Sequence, residues 1–176
     1  MNDIRRIGIS TGGGDAPGLN AVIRATVLAS LRRGWQVVGI RDGFNGLRFP
    51  ERYPNGAGLV PLDRDAVRGI THLGGTILGT TNKANPLKFP QKQPDGSVVE
   101  VDRTKELAGM CKDAGLDAVV MLGGDGTMAI AAALSRHGVR LVGVPKTIDN
   151  GLDGTVVTFG FESAVAFATE CIDRLH

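Results

Sequence analysis

The chain has no excess of charge: 20 Lys and Arg stand against 18 Asp and Glu, and the basic residues are scattered rather than gathered in a run or stripe. That removes the electrostatic footprint of a nucleic-acid or membrane-surface binder and leaves room for a small acidic ligand. No apolar run approaches the roughly 20 residues that cross a bilayer. The N-terminal Met1-Asn2-Asp3-Ile4-Arg5-Arg6 lacks the apolar core of a signal peptide. Cysteine is scarce, and the spacing of Cys111 and Cys171 fits no metal or redox motif, so both read as buried thiols in a reducing compartment, the cytoplasm. No Gly-Lys pair occurs, which excludes a Walker loop. A Gly-x-Gly-x-x-Gly count started at Gly12 reaches Pro17 in place of the third glycine, which weakens a dinucleotide reading.

Glycine is abundant, 26 of 176 residues, and it is clustered at a few loops rather than spread as low-complexity sequence. The length suffices for one domain with a real core. Ile7 to Ile9 form a β candidate, followed by a glycine cluster and by Leu19, Val22, Ile23, Thr26 and Val27 at helical spacing. Pro17 suits an early position of that helix. Val37 to Ile40 read as a second strand, and residues 41–102 as irregular, with short elements near Val67 and Ile77. Then the pattern sharpens. Leu107, Met110, Cys111 and Ala114 share a helical face ended by Gly115, and Ala118 to Leu122 read as a buried strand. Met128, Ala131 and Leu134 mark a helix stopped by Gly138, and Leu141 to Val144 a further buried strand. Ala164, Phe167, Ala168, Cys171, Ile172 and Leu175 make a long apolar stripe. Alternating strands and helices predict an α/β fold, a doubly wound, mostly parallel sheet with helices on both faces. Loops leaving the carboxyl ends of its strands meet in one crevice.

Three loops carry chemistry. Thr11 to Gly18 exposes backbone amides near a helix N-terminus, a ready anion site. The same stretch satisfies Gly-x-Ser-x-Gly at Gly8 to Gly12, the hydrolase elbow, but His72, His137 and His176 offer no obvious acid-oriented partner. Leu122 to Thr127 follows the most apolar strand; its three glycines let a ligand approach the backbone, and Asp125 suits Mg²⁺. The alternative is that Asp125 only caps the next helix. Val144 to Gly151 places the cation Lys146, the hydroxyl of Thr147 and the carboxylate of Asp149 within four residues, in a turn favoured by Asn150-Gly151.

Taken in order, Gly-Gly-Asp-Ala-Pro-Gly-Leu-Asn (13–20), Asp-Gly-Phe-Asn-Gly-Leu (42–47), Gly-Gly-Thr-Ile-Leu-Gly (74–79), Gly-Gly-Asp-Gly-Thr (123–127) and Pro-Lys-Thr-Ile-Asp-Asn (145–150) resemble the 6-phosphofructokinase family, specifically its N-terminal half. The resemblance implies phosphoryl transfer from ATP to the 1-hydroxyl of fructose 6-phosphate, with Mg²⁺ as cofactor and pyrophosphate as the alternative donor. It implies that Gly13, Gly14, Gly123, Gly124, Gly126 and Thr127 cradle the donor phosphates, that Asp125 holds the metal, and that Asn82 and Lys83 lie beside the donor. Thr147, Ile148 and Asp149 would contact the sugar, with Asp149 as base and Lys146 and Thr147 in the same catalytic set. Gly126 is similar to the ATP-using members and Lys146 to the pyrophosphate-using ones. Gly151 stands in place of a second Asp, and Asn82 in place of an Arg. Family members continue for about as long again, so residues 1–176 would form the donor-binding domain, with the sugar-phosphate-binding half absent. The complete enzyme would be a cytoplasmic homo-oligomer, a dimer or tetramer, with no nucleic-acid or membrane partner. A nucleotide-binding module without turnover is the alternative from a different class. NAD kinases and diacylglycerol kinases share only the Gly-Gly-Asp-Gly-Thr loop.

Overall fold

In the computed structural model, which describes residues 4–83 and 85–175, the alternating apolar stretches become a six-stranded sheet. β1 (Arg6–Thr11) lies at its centre, β2 (Gln36–Ile40) and the short antiparallel β3 (Leu59–Pro61) to one side. To the other side lie the parallel β6 (Ala118–Gly123), β7 (Leu141–Thr147) and the two-residue β8 (Phe159–Gly160). A separate antiparallel hairpin pairs β4 (Phe89–Lys92) with β5 (Val98–Val101). The chain builds β2 outward from β1 and then crosses back to build β6 and β7, so the order reverses between β1 and β6. That reversal opens a crevice at the strand ends.

Strand alternation sorts the core. Ile7, Ile9 and Val37 point to the face covered by α1 (Leu19–Leu31), where Leu19, Ile23 and Val27 are buried. Val38, Ile40, Val119 and Met121 point to the opposite face, beneath α2 (Asn45–Arg48), α3 (Thr104–Asp113) and α4 (Asp125–Arg136). Helices therefore cover both faces, as the period-2 and period-3.6 patterns predict.

Several expectations are corrected. Pro17 stands in the turn ahead of α1, whose first residue is Leu19. No helix or strand forms at Val67 or Ile77; Leu62, Val67, Ile70 and Leu78 instead insert singly from an irregular segment into the α1 face of the core. β7 is not fully buried, and Val142 is 59% exposed, because only the two residues of β8 flank its outer side. The predicted last helix forms as α5 (Phe161–Asp173), but none of its residues is buried. Its apolar stripe and Cys171 face outward, whereas Cys111 is buried and its thiol is pushed up to about 11 by burial. The expectation of two buried thiols holds only for Cys111. Among the described residues no helix is long and apolar enough to cross a membrane.

One close approach fixes the entry to α2. A Cβ on Gly46 would lie 2.1 Å from the Gly58 carbonyl oxygen, and one on Gly58 would lie 2.2 Å from that of Gly46. Both obstacles are backbone and cannot rotate aside, so Gly46→Ala is expected to cost on the order of 2–3 kcal/mol. Urea denaturation of the variant checks this; an unchanged midpoint contradicts it.

Candidate active site

Loops leaving β1, β6 and β7, together with Gly43, Phe44, Asn45, Arg48, Thr81, Asn82, Lys83, Asn85 and Pro86, enclose a cleft of about 420 Å³. The β1 loop is pinned at both edges: the Gly12 N–H donates to the Leu122 carbonyl (2.8 Å) and the Gly13 N–H to that of Thr81 (3.1 Å). Gly13 has φ 80°, a left-handed conformation that favours glycine.

The glycines divide by what a side chain would meet. A Cβ on Gly123 would lie 2.2 Å from Thr127 Oγ1, and one on Gly12 2.7 Å from the same oxygen. These two glycines make room for Thr127, which is buried against both. Gly123 ends β6, fully buried, and does not line the cleft. Gly14 and Gly126 differ: a Cβ on either would meet nothing within 4 Å. Both face the cleft, so their lack of a side chain leaves open space where a ligand would sit.

Asp125 does not cap α4. The N-cap is Gly124, which makes no side-chain cap bond, and Asp125 is the first helical residue, exposed to the cleft. The Thr127 and Met128 N–H groups donate to the Gly124 carbonyl (2.9 and 3.0 Å), whereas the amides of Asp125 and Gly126, which line the cleft, precede the first intrahelical bond, a favourable place for phosphate oxygens. No cluster of three or more His, Cys, Asp or Glu suited to a metal occurs among the described residues. Mg²⁺ held with nucleotide phosphates needs only one or two protein carboxylates, and Asp125 fits that requirement.

Lys146 is the buried cation of the site, 4% exposed at the penultimate position of β7. Its ammonium donates to the Gly14 carbonyl, joining the first loop to the third. Burial lowers its pKa, partly offset by Asp15. Beyond it the Thr147 hydroxyl donates to Asp149 Oδ1 at 2.5 Å, and the Gly151 N–H donates to the same oxygen at 3.3 Å, closing the expected turn with Asn150 at φ 53°. Those two bonds, the hydroxyl first, hold the Asp149 carboxyl below the usual carboxylate range. Asn150 secures the loop through the Thr158 N–H (2.8 Å) and the Val156 carbonyl (3.1 Å).

Of the residues singled out from the sequence, Gly13, Gly14, Asn82, Lys83, Gly124, Asp125, Gly126, Thr127, Lys146, Thr147 and Ile148 line the cleft. Asp149 is exposed at its margin, tied to the wall through Thr147. The hydrolase elbow is excluded: Ser10 lies inside β1, 1% exposed, and no histidine bonds to it among the described residues; His176 lies outside them. The sequence reading missed Phe44, Arg48, Pro86, Met121 and Ile130, which add a largely apolar part to the cleft lining. The Arg48 guanidinium stacks 4.6 Å over the Phe89 ring, and burial lowers its pKa. The signal in the sequence for Phe44 is the Asp42-Gly43-Phe44 motif directly after the buried end of β2.

A family model described as Phosphofructokinase matches residues 6–176. The ATP-dependent 6-phosphofructokinase 2 of Clostridium perfringens is 49% identical over 177 residues, covering 100% of this chain and 46% of that protein. The pyrophosphate–fructose 6-phosphate 1-phosphotransferase of Amycolatopsis mediterranei is 45% identical over 172 residues, 97% of this chain and 45% of that protein. The solved phosphofructokinase of Pichia pastoris in the T-state superposes with a TM-score of 0.77 at 28% identity, over 99% of this chain and 18% of that one. The chain thus spans about half the length of the curated relatives it matches.

Proposed function

Because the chain belongs to the phosphofructokinase family, we propose that it carries the donor site and the base for phosphoryl transfer from ATP to the 1-hydroxyl of fructose 6-phosphate. The observation that carries this reading is the convergence of three strand-end loops and the α4 N-terminus on one cleft, with Asp125, Lys146 and the Thr147–Asp149 pair around it. Phosphoryl transfer asks a protein mainly for positioning and charge neutralisation, and these groups supply both.

In this reading the β- and γ-phosphates lie against the Gly13–Gly14 and Gly124–Thr127 backbone, with Lys146 and Lys83 as cations. Asp125 holds Mg²⁺, which neutralises phosphate charge when bound. Asp149 accepts the proton of the 1-hydroxyl as the new O–P bond forms in line with the bond that breaks, and ADP leaves with the electron pair. Thr147 orients Asp149 by its 2.5 Å bond, and Ile148 borders the acceptor. Residues that hold the sugar 6-phosphate, and the subunit partners of a homo-oligomer, belong to the rest of such an enzyme.

ATP is favoured over pyrophosphate by the shape of the cleft. Pyrophosphate has no apolar part, yet Phe44, Pro86, Met121 and Ile130 line the cleft, and a side chain at Gly126 would meet nothing within 4 Å. Such a lining suits a nucleoside. Titration calorimetry tests the donor side: Mg²⁺·ATP is expected to bind more tightly than Mg²⁺·pyrophosphate. Asp125→Asn should weaken ATP by about tenfold or more with Mg²⁺ present and hardly at all without it. Equal weakening with and without the metal contradicts the assignment of Asp125.

A further inference from the structure

Residues 73–83 have neither helix nor strand, yet they deliver Asn82 and Lys83 to the cleft. Such a segment must find partners for its backbone polar groups elsewhere. Asn20, the second residue of α1 and 2% exposed, supplies three of them. Its side-chain amide donates to the carbonyls of Leu73 (3.1 Å) and Gly74 (3.2 Å), and its oxygen accepts from the Ile77 N–H (2.8 Å). The orientation is determined by the partners, because the flipped amide would set N–H against N–H and oxygen against two carbonyls. Asp cannot donate to those carbonyls, and Leu of similar size would leave all three groups unpaired.

Further along, the same segment is fastened to the phosphate loop itself. The Thr11 hydroxyl donates to the Gly79 carbonyl (2.6 Å), and the Thr80 hydroxyl donates to the Gly13 carbonyl (2.7 Å). Leu78 is buried between these points. Asn20 therefore clamps the near end of the loop, and Thr80 ties its far end, two residues before Asn82. Asn20 does not line the cleft. We propose that Asn20 is a positioning residue for the phosphoryl donor: by fixing residues 73–77 it sets where Asn82 and Lys83 stand against the donor phosphates. The proposal rests on the donor reading given above.

The test uses Asn20→Ala and Thr80→Val in the complete protein that carries this chain. Thr80→Val is nearly isosteric and loosens the other end of the loop, so it reports even where the buried Asn20 variant folds poorly. Amide exchange over residues 74–83 is compared with that of α3, and affinity for Mg²⁺·ATP with KM for fructose 6-phosphate. The expected result is faster exchange confined to 74–83 in both variants, with the ATP dissociation constant raised on the order of tenfold and the sugar KM unchanged. Faster exchange at unchanged ATP affinity, or equal loss of donor and sugar affinity, overturns the proposal by reducing Asn20 to a merely structural role. Wild-type protein that binds neither Mg²⁺·ATP nor Mg²⁺·pyrophosphate overturns the donor reading first, whatever the loop does, and so separates the two failures.

Discussion

Asp149→Asn is expected to lower kcat for phosphoryl transfer by about 10²–10⁴-fold while leaving the affinity for Mg²⁺·ATP unchanged. Asn keeps the size of the side chain and can still accept the Thr147 hydroxyl bond, but it takes no proton from an attacking alcohol. The two bonds that fix Asp149 also set its pH behaviour. A carboxyl whose pKa is lowered stays ionised as pH falls through the ordinary carboxylate range, so the base is lost only below that range. Thr147→Val removes the larger of the two causes. The acid limb of its kcat profile should therefore move upward toward the ordinary value, with kcat at neutral pH reduced less than in Asp149→Asn. Full activity of Asp149→Asn would remove the base from the account.

Gly126→Asp is expected to cut kcat/KM for ATP by about 10²-fold or more, because a carboxylate set against the donor phosphates costs several kcal/mol in like-charge repulsion. The fold should not suffer, since a Cβ at Gly126 meets nothing within 4 Å. Stability and donor use thus separate at this residue, which they do not at Gly123, where any side chain collides with Thr127. The check is donor kinetics beside a denaturation midpoint. Loss of ATP use together with a large drop in stability would make Gly126 a packing residue and remove it from the donor site.

The parts of the fold that were legible are those with a long period. β1 and β6 are apolar runs followed by glycine and appear within two residues of where the pattern places them, and α1 and α4 contain the residues marked at helical spacing but extend beyond them by several residues. The β4–β5 hairpin was hidden because β4, although its residues alternate between half-buried and exposed, reads Phe-Pro-Gln-Lys with no apolar–polar alternation, and three of the four residues of β5 are exposed. Residues 62–78 were hidden for another reason: they enter the core one side chain at a time, and single insertions have no period. The site was legible as loops but not as geometry. Three glycines around Asp125 read alike in sequence, and only coordinates show that Gly123 accommodates Thr127 while Gly126 opens on the cleft. The role of Asn20 within the first motif is not legible, because a buried side chain that bonds to backbone more than fifty residues away leaves no local signal.

The most direct test of the account is formation of fructose 1,6-bisphosphate from fructose 6-phosphate by the complete protein carrying this chain, with ATP and pyrophosphate compared at equal concentration with Mg²⁺. Turnover with ATP well above that with pyrophosphate, abolished by Asp149→Asn, is the predicted result. Turnover with pyrophosphate alone would overturn the donor assignment, and turnover with neither, in protein that still binds Mg²⁺·ATP, would contradict the claim that this cleft transfers phosphate to the sugar.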